Sequence, residues 1–175
     1  MKNHSALRLA RAIAIAIVGL GTLSALPVRA DNPTHVQKLL RNRICEGCNL
    51  SGANLKNAVL ANANLRIANL ISANLEGANL KGAYLKDANL RGANLKGAYL
   101  RDANLEGVTL KNAYLKGADL KGTYLINTNL EFADLGEANL AGAYLLNTKL
   151  KNAFLIGATW TDGKQCLNRD CSQRR

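Results

Sequence analysis

From Leu50 to Leu155 a leucine stands at every fifth position, 22 times without a gap. Two positions before it comes Ala in 17 of the 22 repeats, and the exceptions are Cys48, Val108, Thr123, Thr128 and Thr148. The residue before Leu is Asn or Asp in 13 repeats, and the residue after it is often Lys, Arg or Glu. Neither regular secondary structure has this period. On a helix, residues five apart point roughly 140° away from each other, so the leucines would wrap all round it. In a flat strand an odd period sends successive leucines to opposite faces. The pattern works if the chain turns a corner once per repeat, so that each Leu points inward again. Two residues after Leu comes Gly in ten repeats and Asn in six, residues that tolerate turn conformations at low cost. Ile67, Phe132 and Glu137 also occupy that position. They resist positive φ, so their corners are expected to use a different turn with negative φ.

Units such as "ANLKG", "ANLRG" and "ADLKG" resemble the A-(D/N)-L-x-x motif of the pentapeptide repeat family, over residues 48–160. The resemblance implies an all-β fold, a right-handed quadrilateral β-helix with four repeats per coil. Twenty-two repeats then make about five and a half coils, a rod roughly 26 Å long at the usual strand spacing. With the segments that flank the repeats, the chain divides into a signal peptide (1–30), an N-terminal cap with a short helix (31–47), the β-helix (48–160) and a C-terminal cap (161–175).

An open coil end exposes leucine surface and unpaired backbone, so both ends need covers. Upstream, Thr34 and Gln37 fit a capping box after Pro33, and Val36, Leu39 and Leu40 share a helical face. A short helix over about 34–42 is expected to lie across the first coil. Downstream, Trp160 replaces the next Leu, and "TDGKQCLNRDC" should fold over that end. A rod of this kind holds Cys45 and Cys48 too far from Cys166 and Cys171 for a cross-bridge, since a disulfide needs Cα atoms within about 7 Å. That leaves Cys45–Cys48 and Cys166–Cys171, the second closing the C-terminal cap. The alternative is a redox-active or metal-binding C-x-x-C. Only His4 and His35 exist, so a four-ligand zinc site is poorly supplied, and no metal or cofactor is expected.

The compartment follows from the first thirty residues. Lys2, Arg8 and Arg11 precede the apolar run 12–26, and "VRA" ends the segment. The run is too short to span a bilayer, which takes about 20 residues, and reads as a secretory signal cleaved after Ala30. The remainder carries 19 basic and 12 acidic residues, a net charge of +7, and no transmembrane segment is expected in it. All four cysteines lie in the exported part, where disulfides are favoured.

No nucleophile elbow, Walker loop or H-E-x-x-H motif occurs. A solid Leu-packed rod offers no desolvated cleft for acid–base work, so an enzyme is the least favoured class. The best-known activity of the family is topoisomerase binding by DNA mimicry. That needs an acidic rod, whereas the repeats hold 12 basic and 8 acidic residues. Nucleic acid fits the charge but not the compartment. The signal-bearing form, with "LLRNRICEGCNLSGANL" leading into the repeats and a cysteine pair after them, resembles exported pentapeptide repeat proteins of cyanobacteria, which reside in the periplasm or thylakoid lumen. The reading is therefore a non-enzymatic exported scaffold, with a thiol redox function of Cys45 and Cys48 as the alternative. If residues twenty apart stack, Lys81, Arg101 and Lys121 form a basic column, with an anionic surface as its conceivable partner. Tyr124, Ile126, Tyr144 and Leu146 then form an exposed apolar patch, and Tyr84 continues it. This patch suits a protein partner or a homodimer.

Overall fold

The computed structural model describes residues 33–167 and Cys171; the expected signal peptide lies outside them. Parallel bridges join residues twenty apart, from Ile44 with Asn64 to Asn139 with Thr159. The chain therefore winds as a coil of twenty residues with a corner every five. Each five-residue unit contributes one bridging residue, so among the described residues no extended strand forms. The four sides are named here by their first repeat leucines: the Leu50, Leu55, Leu60 and Leu65 faces.

The repeat satisfies its backbone position by position. Within one unit, the N–H groups of Leu70 and Ser72 donate to the carbonyls of Asn89 and Arg91 on the next coil (2.7 and 3.0 Å). The Asn69 N–H donates back to Cys48 (2.9 Å), and the Ala73 N–H closes the corner on Leu70 (3.0 Å). The fifth N–H, on the residue after Leu, points outward. The Asn69 Oδ1 accepts it from Ile71 at 3.2 Å, an Asx turn. All 13 Asn and Asp residues that precede a repeat Leu accept in this way. The polar residue before Leu thus completes the hydrogen bonding of its own corner.

The interior is a stack of leucines, buried from Leu50 through Leu140, and of the inward alanines beside them all but the partly buried Ala58 are buried. Thr123 and Thr128 take alanine positions and are buried too. Their hydroxyls donate to the carbonyls of Leu120 and Leu105, each at 2.7 Å, so no buried side-chain polar atom is left unpaired among the described residues.

The corners correct one expectation. All positions from Gly47 to Gly157 in steps of five have positive φ, and Ile67 (57°), Phe132 (60°) and Glu137 (59°) are among them. None adopts a negative-φ turn. The reason is the register of the stack. Each corner N–H must reach the next coil: Ile67 to Lys86 at 3.0 Å, Phe132 to Lys151 at 3.1 Å and Glu137 to Ile156 at 3.2 Å. A left-handed conformation costs a non-glycine residue about 1–2 kcal/mol. A different turn would misplace a whole coil against two neighbours.

Helix α1 spans Pro33–Asn42. Thr34 lies inside its first turn rather than at its cap, with Pro33 at the position where a missing N–H costs nothing. Leu39 is fully buried and Val36 packs on the core, but Leu40 is 54% exposed. The buried side runs through His35, Val36 and Leu39, a stripe that Leu40 overshoots. His35 Nδ1 accepts from the Asn49 N–H at 3.2 Å, which ties α1 to the first coil. That coil starts at Ile44, so the unit 43–47 belongs to it, with Cys45 in the place of Leu. At the other end, Gln165 bridges antiparallel to Thr159. The Cys166 N–H donates to the Ala158 carbonyl (2.8 Å).

Candidate functional site

With the interior this regular, chemistry is confined to the outward positions, the corners and the ends. On the Leu65 face, Tyr124 and Tyr144 stack with ring centroids 4.9 Å apart and planes 8° from parallel. Leu146 beside them is 65% exposed, and Ile126 is half-buried. The structure thus brings the four patch residues together on two successive coils. Tyr84 lies on the same face, but Asn104 bridges between it and Tyr124, so it is separate from the patch. Tyr124 and Tyr144 stand where most repeats have Asn or Asp. They therefore forgo the Asx acceptor for the N–H of the residue after Leu.

The basic column lies on the Leu60 face. Arg101 reaches Asp119 at 3.6 Å, which neutralises its centre. Lys81 and Lys121 are exposed and make no ion pair among the described residues. Asp102 instead lies over the corner at Gly122. Each of the other faces holds a pair of opposite charges on successive coils: Lys56 with Glu76 (2.9 Å), Lys86 with Glu106 (2.9 Å) and Lys111 with Glu131 (3.6 Å). The hydrogen bond and the charge of Lys56 hold the Glu76 carboxyl below its ordinary range. Such exposed pairs are screened by water and salt and add little to stability.

Cys45 and Cys48 are disulfide-bonded with Cα atoms 5.2 Å apart, and Cys166 and Cys171 with Cα atoms 5.7 Å apart. All four are buried. The first disulfide spans the first corner, linking the Leu and Ala positions of adjacent units. In that burial the sulfurs are part of the core, which weighs against a redox-active pair. Among the described residues no three His, Cys, Asp or Glu side chains cluster as metal ligands. No helix among them is long and apolar enough to cross a membrane.

Two features escaped the reading of the sequence. Phe154 and Ile156 repeat the aromatic-then-aliphatic pattern on the Leu55 face, 41% and 40% exposed; the same positions around Leu155 could have revealed them. The second is an unfinished coil end at Leu145 and Leu150, which no local motif announces.

A four-sided coil of five-residue units, closed by Asx turns, defines a repeat solenoid. The pentapeptide repeats family model matches in overlapping segments from residue 48 to 159, and the chain belongs to that family. No curated protein matches. Among solved structures, HetL of Nostoc sp. strain PCC 7120, a pentapeptide repeat protein involved in heterocyst differentiation regulation, is 36% identical. The match covers 70% of this chain and 66% of HetL, with a TM-score of 0.48. Rfr23 of Cyanothece 51142 is 33% identical over 69% of this chain and 92% of its own, with a TM-score of 0.39. A pentapeptide repeat protein of the Arabidopsis thaliana thylakoid lumen is 28% identical over 70% and 71%, with a TM-score of 0.35.

Proposed function

We propose that this chain is a non-enzymatic, exported scaffold, a right-handed rod of about five and a half coils that holds a protein partner against its Leu65 face. The apolar patch carries the reading. Tyr124 and Tyr144 replace a residue that would seal the backbone, and they sit beside an exposed Leu146. The two rings recover part of the lost hydrogen bonding by stacking on each other, yet they stay 44% and 55% exposed beside Leu146, and clustered exposed apolar groups suit a contact. Two disulfides and the sequence 1–30 support export, to a periplasm or a thylakoid lumen. A second copy of the chain is the other occupant this patch would suit.

The test exploits the repeat itself. Tyr124→Asn with Tyr144→Asn should restore two Asx turns and leave stability within about 1 kcal/mol, the net worth of a typical hydrogen bond. Co-purification from the exported compartment and sedimentation velocity then read association. Association lost with the fold intact supports a docking face. Unchanged association, or destabilisation by several kcal/mol, assigns the tyrosine stack a purely structural role.

A further inference from the structure

The last coil is closed on one half only. Residues 163–166 lie on the Leu55–Leu60 side: the Gly157 N–H donates to the Cys166 carbonyl, and the Trp160 N–H to Lys164, both at 2.8 Å. Among the described residues the Leu65–Leu50 side has no such cover. One coil earlier, the N–H groups of Leu125, Asn127, Leu130 and Phe132 donate to Tyr144, Leu146, Lys149 and Lys151 at 2.8 to 3.1 Å. Their counterparts on Leu145, Asn147, Leu150 and Asn152 donate to no backbone acceptor among the described residues. The inward side chains agree: Leu125 and Leu130 are fully buried, whereas Leu145, Thr148 and Leu150 are only half-buried. An edge with unpaired donors and an apolar floor is a template for one more strand.

We propose that the edge formed by residues 148–152 binds an extended, acidic peptide segment by strand addition. Such a segment would accept from the Leu150 and Asn152 N–H groups and donate to the Thr148 carbonyl. An apolar side chain would cover Leu150. Acidic side chains would flank it outward, opposite Lys149 and Lys151, which are exposed and make no ion pair among the described residues. Five residues in extended form run about 17 Å, enough for one face and its corner.

Three observations select a peptide over other occupants. The segment 163–166 stands one strand layer, about 4.8 Å, above the open edge. A second copy docking end to end would meet it before its own edge came within hydrogen-bond reach. Docking head to tail is blocked by α1, which is bonded to the first coil through His35. The chain's own last residues, 172–175, carry Arg174 and Arg175, the wrong sign to settle beside Lys149 and Lys151. The site is separate from the Leu65-face patch and does not depend on it.

The test uses the full chain labelled with nitrogen-15. Hydrogen exchange in dilute protein should be fast at Leu145, Asn147, Leu150 and Asn152 and slow at Leu125, Asn127, Leu130 and Phe132. Titration with acetyl-Thr-Glu-Val-Glu-Thr-amide should shift the Leu150 and Asn152 amides saturably. The Lys-for-Glu peptide should bind about fivefold more weakly, since cross-strand charge pairs are small terms. N-methylation of the Val should abolish binding. Lys149→Glu with Lys151→Glu should reverse the preference between the two peptides, while slow exchange at Leu125 and Leu130 certifies the fold. The proposal is overturned by any of three results. These are no amide shift at millimolar peptide, protection of the four amides in dilute free protein, or protection that rises with protein concentration. The second assigns the edge to the chain's own tail and the third to a second copy.

Discussion

Gly97 and Gly107 occupy equivalent corners one half-coil apart, with φ of 60° and 69°. An alanine at either position pays the left-handed penalty of about 1–2 kcal/mol. It recovers about 0.4–1 kcal/mol by restricting the unfolded chain. The net expectation for Gly97→Ala is a loss of about 1 kcal/mol, because a Cβ there meets nothing within 4 Å. At Gly107 the same Cβ lands on the Asp87 carboxylate of the coil before, which rests over the glycine. Asp87 is exposed and can turn away, at a cost of about 0.5–1.5 kcal/mol for leaving its rotamer. Gly107→Ala should therefore lose about 2 kcal/mol, twice the loss at Gly97.

Urea unfolding of both variants measures this, with the slope checked for constancy so that midpoints report stability. The decisive step is Gly107→Ala in an Asp87→Gly background, a double-mutant cycle. There the excess should vanish and the loss fall to the Gly97 value. Equal losses at Gly97 and Gly107, or an excess that survives removal of Asp87, would refute the idea that corner side chains pack on the glycine of the next coil.

Glu76 has a folded-state pKa below its ordinary value of 4.5 because Lys56 bonds and attracts it. Its contribution is therefore present above about pH 4.5 and lost as pH falls through the lower folded value; Glu76→Gln should flatten that part of a stability–pH curve, and an unchanged slope removes the pair as a contributor. Cys45→Ala with Cys48→Ala opens a four-residue loop and should cost about 2 kcal/mol by chain entropy, read by urea unfolding beside the oxidised parent. Equal midpoints would mean the disulfide adds nothing to the first coil. Thr128→Val keeps the shape but removes the hydroxyl bond to Leu105, and should cost about 1 kcal/mol in the same assay.

The period of five announced the coil because burial is a property of the whole repeat. Twenty-two leucines can point inward only if every unit turns the same corner. Residue-level preference failed where it opposed that collective demand. Ile67 and Phe132 are poor at positive φ, and each adopts it, because one strained residue costs less than a coil out of register. Cys45 hid a further unit, since a small buried sulfur stands where Leu was sought and the disulfide to Cys48 stands beside it. The candidate patch was legible through the stacking rule alone, as Tyr124 over Tyr144. The neutralisation of the basic column was half visible: Asp119 precedes Leu120 in sequence, but its reach back to Arg101 depends on side-chain geometry. The open edge was not legible at all, because it arises from where residues 163–166 turn back, and no repeat position encodes that.

These failures share a logic that bears on function. In a coil whose interior and backbone are satisfied by the consensus residues, every departure from consensus carries a cost or a gain that the coil itself does not require. Tyr in place of Asn loses an Asx bond. Lys149 in place of Asn does the same, leaving the Lys151 N–H without its local acceptor among the described residues. Departures in mid-rod are scattered among charge pairs that close on neighbouring coils, such as Lys86 with Glu106. Near the C-terminal end they are concentrated: Tyr144, Leu146, Lys149, Phe154 and Ile156 fall within thirteen residues. None of the three apolar side chains among Tyr144, Leu146 and Phe154 is less than 41% exposed. The consensus builds the rod, and the last two coils spend their departures on water-facing groups. That distribution supports the proposal that contacts are made at the C-terminal coils, opposite the end to which α1 is bonded.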